Sequence, residues 1–465
     1  MMSSSAEFDC DVVIVGGGPA GVSCAITVAQ QGYDVIILDK KSRERIGDKT
    51  CGDAIDKAAL QRLNDRIGLE FPHGDEVSDP ISKMSIAADE IDLKLTLDAP
   101  GFQVDRLIFG QRLLADAEKL GVKIISKAPV RGVLTEQIDG QTYISGVSYF
   151  HDGQKKEIHA KFTIDASGAY ASVRKELPPE ILTDGIVAEL QDDELWPTYR
   201  EIIKLDPAVA QHPWREEIVL MFDDDYPPPG YFWVFTEGEG VLNFGIGWEK
   251  TQELGKLKDR LKAEMHQYYR EDQYEVIKRG GGQIPFRPPF DSLVFNGGAL
   301  AGDAACMVHP VTAEGHGPAL DTASHLGETI IQALKQGRRD KDALWQYNIK
   351  VAHHYGKKHM EAHLMKQMLR QVGAEGLKYL IEKEIFKEEE LNLIFAGNDI
   401  EQAITTFEKI KRVIKLLPRP KLLLALRKLL SYQDKVNQIY ASYPESRMEL
   451  DSWRSMRNEQ LDVSF

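Results

Sequence analysis

The aliphatic run Val12-Val13-Ile14-Val15 passes directly into Gly16-Gly17-Gly18-Pro19-Ala20-Gly21. The run fits a strand buried on both faces of a parallel sheet, and glycines spaced G-x-G-x-x-G fit the turn carrying such a strand into a helix. A helical stretch follows from about Ala20 to Gln31, Gly32 ends it, and Val35-Ile36-Ile37-Leu38 reads as a second strand closing on Asp39. Gly16 permits the tight turn, Gly18 lets backbone approach a pyrophosphate, and Gly21 lets helix and strand pack closely. The helix N-terminus offers amides and partial positive charge to the phosphates, and Asp39 would accept hydrogen bonds from a ribose. This is a dinucleotide-binding βαβ unit in an α/β fold. By itself it does not separate NAD from FAD.

A chain of 465 residues has room for two or three domains and a deep site. Its net charge of −15 argues against a nucleic-acid partner, which requires a basic footprint. Cys10, Cys24, Cys51 and Cys306 are too scattered for a disulfide framework, so a cytoplasmic, reducing setting is expected. The first residues lack the basic and apolar regions of a signal peptide, and no run of about 18 apolar residues predicts a membrane span. Charge is uneven, however. From Lys409 to Leu430 there are eight basic residues and no acidic ones, with Leu422, Leu423, Leu424, Leu426, Leu429 and Leu430 among its leucines. Such a helix can lie on an anionic membrane surface, here the inner one, or pack on the core with its lysines solvated.

Two later segments bear on the cofactor. Phe162-Thr163-Ile164-Asp165-Ala166-Ser167-Gly168 reads as a strand ending in a small-residue turn, and Leu300-Ala301-Gly302-Asp303-Ala304-Ala305 as another that opens a helix. Chains binding extended FAD commonly carry both, with an acid such as Asp303 near the ribityl or pyrophosphate. Together with the first turn they favour FAD.

At this point the chain resembles the FAD-dependent geranylgeranyl reductases, which share the fold of the p-hydroxybenzoate hydroxylase-like flavoproteins. The resemblance runs nearly end to end. It rests on the glycine turn, Cys51-Gly52-Asp53-Ala54, Val104-Asp105-Arg106 leading a helix, Gly230-Tyr231-Phe232-Trp233-Val234-Phe235, Gly302-Asp303, and the tail Tyr440-Ala441-Ser442-Tyr443-Pro444. It implies saturation of double bonds in geranylgeranyl chains of membrane lipids. It further implies cofactor contacts at Gly16, Gly18, Ala20, Gly21 and Asp39; at Cys51, Gly52, Ala54, Arg106 and Val130; and at Gly302, Asp303, Gly315 and His316. NADPH or reduced ferredoxin would be the external reductant.

Tyr231, Trp233 and Phe235 alternate with period two, so on a strand they share one face and can wall an apolar tunnel. The resemblance makes them substrate-binding; otherwise they read as sheet packing. Cys51 becomes the candidate catalytic residue, as proton donor or by positioning the alkene. A thiol of ordinary pKa, about 8.5, is protonated at neutral pH, whereas Lys49 nearby would lower that value. The chain departs from the family at Ala313 and Glu314, where a denser glycine run is usual. A carboxylate there would oppose a reduced flavin anion or serve proton transfer.

Three alternatives remain. A monooxygenase or halogenase shares this fold, although Ser167 precedes Gly168 where hydroxylases show Asp-Gly followed by Ser and Arg. A prenyl-lipid carrier would need no intact flavin turn. His359 and His363 lie one helical turn apart within a lysine-rich segment, but no H-E-x-x-H motif accompanies them, and no metal site is expected. The expected architecture is a Rossmann-like FAD domain (1–180, with an inserted stretch at about 81–99, and 285–345) interleaved with a mostly antiparallel substrate sheet (181–284). A helical region (346–465) follows.

Overall fold

The computed structural model describes residues 8–212, 214–226, 228–250, 256–395 and 406–461. In chain order the elements begin with β1 (Cys10–Val15), α1 (Pro19–Ala29), β2 (Val35–Leu38), β3 (Ala54–Asp56), α2 (Lys57–Ile67), β4 (Val77–Ala88), β5 (Glu90–Val104) and α3 (Arg106–Lys119). Then come β6 (Lys123–Ile125), β7 (Val130–Ile138), β8 (Gln141–His151), β9 (Gln154–Asp165), β10 (Leu195–Leu205), β11 (Glu217–Phe222), β12 (Tyr231–Thr236) and β13 (Val241–Gly247). The remainder is α4 (Leu257–Met265), β14 (Tyr274–Pro285), β15 (Val294–Phe295), β16 (Gly298–Leu300), α5 (His316–Lys335), α6 (Trp345–Val351), α7 (Lys357–Glu382), α8 (Glu388–Phe395), α9 (Thr406–Leu416), α10 (Pro420–Ala441) and α11 (Leu450–Gln460).

The first sheet runs β15-β16-β9-β1-β2-β6, with β7 and β8 attached through β9. β1 lies parallel between β2 and β9, Val13 opposite Ile36 on one side and Thr163 on the other. Val12, Val13 and Ile14 are wholly buried, as a strand covered on both faces requires. α1 is buried along nearly its whole length because it packs on this sheet and against α5. Gly32, with φ +79°, ends the segment in a conformation that a side chain would strain.

The second sheet runs β14-β10-β13-β12-β11-β4-β5-β3 and is antiparallel except where β11 runs parallel to β4. Residues 81–99, read from sequence as an insertion in the nucleotide-binding part, form most of β4 and β5 in this sheet. The early segment therefore supplies three strands that meet β11 from across the chain. Period-two alternation divides β12 as expected. Tyr231, Trp233 and Phe235 join one apolar cluster, whereas Phe232 and Val234 join another on the opposite face.

From α6 onward the described chain is mainly helical. α7 packs on α10 through Met368, Leu369, Leu422 and Leu426, forming a further apolar layer that includes Val311. No described helix is long and apolar enough to cross a membrane.

Candidate active site

Three glycines of the first turn behave differently. Gly16 has φ +108°, and a Cβ on it would fall 2.3 Å from the carbonyl oxygen of Ala166. A Cβ on Gly21 would fall 1.9 Å from the oxygen of Gly16, so this position brings helix against strand. Gly18 is extended, and a Cβ there meets no protein atom within 4 Å. Protein packing thus explains the first two glycines, whereas Gly18 borders open space at the N-terminus of α1. Asp39 holds the turn: its Oδ2 accepts from the Gly17 amide at 2.8 Å and its Oδ1 from the Lys41 amide at 2.8 Å.

Gly18 opens into a cavity of about 1090 Å³. Pockets for small ligands span roughly 300–1,000 Å³, so there is room for a dinucleotide. The Gly302 turn, left-handed at φ +59°, packs so closely that a Cβ there would lie 2.9 Å from that of Ala20. The helix expected directly after this turn does not begin until His316, because a short helical turn and the 309–315 loop intervene. Lys49 Nζ donates to Asp303 Oδ2 at 2.5 Å, which directs that charge to Asp303 instead of the neighbouring thiol. Arg106 is buried and lines the cavity, and no carboxylate oxygen is paired with it at salt-bridge distance among the described residues, although its charge acts on Asp53. Gly18, the amide end of α1 and Arg106 together form a cradle for an anion, which fits the pyrophosphate of FAD.

Cys51 is half-buried on the cavity wall, in a loop held by its carbonyls. Arg200, fully buried, donates to the Cys51 oxygen and forms an ion pair with Asp53, itself left-handed at φ +70°. Asn243 Nδ2 reaches the Cys51 oxygen at 3.2 Å and Glu237 Oε1 at 2.8 Å, while its Oδ1 accepts from Trp233 Nε1 at 3.1 Å. Gln103 donates to the Gly52 oxygen. Burial, then the neighbouring Asp53 charge, pushes the Glu237 carboxyl up to about 7. Gly280 leaves room for Thr50, whose Oγ1 would lie 2.6 Å from an added Cβ.

Tyr231, Trp233 and Phe235 line the same cavity beside Trp196, Leu220 and Phe286. The Trp233 ring packs over Gly245 on β13, where a Cβ would meet it at 1.9 Å. Tyr231 Oη donates to the Thr312 carbonyl at 2.9 Å, tying this wall to the loop before α5.

That loop carries a second titratable group. His309 Nδ1 accepts from the Thr312 amide at 3.2 Å, and burial together with Lys358 holds the imidazole down to about 4, as a neutral acceptor. Ala313 is left-handed at φ +55°, a conformation that glycine adopts without strain. Glu314 lines the cavity over the first turn of α5, its Oε1 2.9 Å from a Cβ built on Gly317. The carboxyl has no hydrogen-bond partner among the described residues. Burial, then Asp56, pushes it up to about 7 against Arg62 and Lys358.

The cavity lining therefore includes Gly16, Gly18, Ala20, Asp39, Cys51, Gly52, Ala54, Arg106, Val130, Gly302, Asp303, Gly315 and His316 with the three aromatics; Gly21 packs behind it. Sequence reading missed Arg200, Asn243, Glu237 and Gln103. They sit singly on or beside strands, in no recurring spacing, and only the register of the second sheet gathers them. No three metal-ligating side chains converge among the described residues: His359 packs against the ring of His309, and His363 faces Gln367.

Residues 9–192 match the FAD-binding domain family. The chain is 29% identical over 451 residues to a digeranylgeranylglycerophospholipid reductase of Sulfolobus acidocaldarius, covering 96% of each chain. It is 27% identical over 422 residues to the reductase of that name from Thermoplasma volcanium, covering 88% of this chain and 98% of that one. A crystal structure of a geranylgeranyl bacteriochlorophyll reductase-like protein from Thermoplasma acidophilum shares the fold with a TM-score of 0.72 at 20% identity, covering 90% and 99%. A flavin-dependent brominase shares it at 0.62 and 17% identity, covering 83% and 94%.

Proposed function

We infer that this chain, an FAD-binding flavoenzyme homologous to the archaeal digeranylgeranylglycerophospholipid reductases, saturates C=C bonds in geranylgeranyl chains of membrane lipids or their precursors. One observation carries the reading: a single cavity joins the dinucleotide turn, Cys51, Glu314 and the aromatic wall. When bound, FAD supplies the hydride. The electrons would come from NADPH or reduced ferredoxin, and the enzyme meets its lipid at the cytoplasmic membrane surface.

The chain's own residues have three tasks. Tyr231, Trp233 and Phe235 exclude water and orient an apolar chain along their shared face. Arg106, Asp39 and the amides beside Gly18 hold the dinucleotide. A proton must also be delivered. An isolated alkene has no oxygen to polarise, so the π bond is lost as one carbon gains hydride and the other a proton. We assign that proton to Cys51 or Glu314, both on the cavity wall. Glu314, with a carboxyl near 7, is well poised at neutral pH, and Cys51 donates or positions the alkene.

The monooxygenase alternative finds Ser167 where hydroxylases carry the aspartate. Its Oγ donates to Asp165 Oδ1 at 2.6 Å and accepts from the Ser172 amide at 2.7 Å, so this position serves its own turn.

The experiment is single-turnover reoxidation of pre-reduced protein by a geranylgeranyl lipid under anaerobic conditions, with the saturated product identified by mass spectrometry. Cys51→Ala should slow the step by about 10²–10⁴-fold, the range of a positioned acid. Reoxidation without a saturated product would overturn the functional reading. A Cys51→Ala rate equal to wild type would remove the thiol alone.

A further inference from the structure

We propose that the turn joining α9 to α10 is a docking surface for an anionic phospholipid bilayer. This goes beyond the reaction itself and rests on the functional reading only for its purpose, access to lipid. Leu417 is 61% and Leu424 64% exposed, and Val413, Ile414 and Leu430 are 46%, 59% and 49% exposed. The core does not account for them. α10 already buries a stripe through Leu422, Ala425 and Leu426, packed with Leu369 and Leu380 of the neighbouring helical layer. At 100° per residue Leu424 points away from that stripe. Lys421 and Arg427, one turn to either side of it, are also exposed, as is Lys411 before Val413.

The body holds this hairpin firmly. Arg412 pairs with Glu390, Arg419 with Glu375 at 3.2 Å, and Lys415 Nζ donates to the Lys383 carbonyl at 2.5 Å. The apolar side chains and the remaining cations are therefore presented together on a fixed support. Charge selects the occupant. Residues 409–430 carry no acid in a chain of net charge −15. A two-fold contact with a second copy would set Lys421 and Arg427 against their own equivalents. An anionic bilayer instead receives leucines between headgroups and cations on phosphates. The position also suits a lipid enzyme: Leu416 and Leu422 share an apolar cluster with Val311, beside cavity-lining Thr312.

The test is sedimentation of the holoprotein with vesicles of saturated phosphatidylcholine, with and without about one-third phosphatidylglycerol. Saturated chains contain nothing to reduce, so binding is read apart from chemistry. The protein should bind the phosphatidylglycerol vesicles and release them at high salt. Leu417→Glu/Leu424→Glu should weaken binding at least tenfold, as should Lys421→Glu/Arg427→Glu, with flavin spectrum and Tm retained. Wild type that ignores phosphatidylglycerol, or both variants binding as wild type, would overturn the proposal. So would a wild-type dimer that the leucine variant converts to monomer without vesicle binding, since the face would then join two copies. Docking without reduction of detergent-dispersed lipid would sink the reaction and leave the surface standing.

Discussion

The ring of Phe235 occupies the space that a side chain on Gly52 would need: a Cβ built there falls 2.2 Å from the ring. The residue after the candidate thiol is thus fitted to the last aromatic of the cavity wall. Gly52→Ala should destabilise the protein by about 1–3 kcal/mol through overpacking. Phe235→Leu should remove most of that penalty in the double variant. Denaturant unfolding of the four proteins checks this, and additive effects would show that the contact is unimportant.

Gly18 offers the converse case. Its extended backbone accepts a side chain, and an added Cβ meets no protein atom within 4 Å. Gly18→Ala should leave the Tm of the apoprotein within a degree or two, yet weaken FAD binding at least tenfold by filling the pyrophosphate approach. Flavin titration by fluorescence quenching reads the second effect and thermal unfolding of apoprotein the first. Unchanged FAD affinity would put the pyrophosphate elsewhere.

Glu314 should set a pH dependence. As a proton donor it acts in its neutral form, so the rate of the reductive step should be level below about pH 7 and fall about tenfold per unit above it. Glu314→Gln should lower the low-pH rate and abolish that limb. Single-turnover rates from pH 5 to 9 decide; a wild-type profile in the variant would clear Glu314 of proton transfer.

Glu237 should act on stability. Burial holds its carboxyl neutral up to about pH 7, whereas in the unfolded chain it ionises near the ordinary value of about 4.3. Its favourable contribution is complete below the unfolded pKa and is lost as pH rises through the folded one. Glu237→Gln keeps an oxygen for Asn243 and removes the titration. The variant should therefore gain up to about 3 kcal/mol on wild type between pH 4 and 8. Parallel unfolding curves at both pH values check the sign.

The dinucleotide turn was legible because its parts are contiguous: Val12 to Asp39 carry strand, glycines, helix, strand and acid in order, and each obeys a local steric rule. The alternation of Tyr231, Trp233 and Phe235 was legible for the same reason, since a strand has period two. Residues 81–99 were set apart from the nucleotide-binding part, but the sheet they join was not legible. Their strands lie in the second sheet because β4 pairs with β11 across a long stretch of chain, and hydrophobic pattern alone does not specify a partner strand.

The sequence by itself determined that a βαβ turn opens the chain, that three aromatics share a face, and that Cys51 follows close on the turn. Tertiary structure decided what surrounds them. Arg200, Asn243 and Gln103 come from three different strands to grip the Cys51–Asp53 loop, and Lys49 is drawn to Asp303. Glu314 is left in the cavity without a hydrogen-bond partner among the described residues. Burial and partner choice are properties of assembled surfaces, and they set both carboxyl pKa values; no local run of residues encodes them.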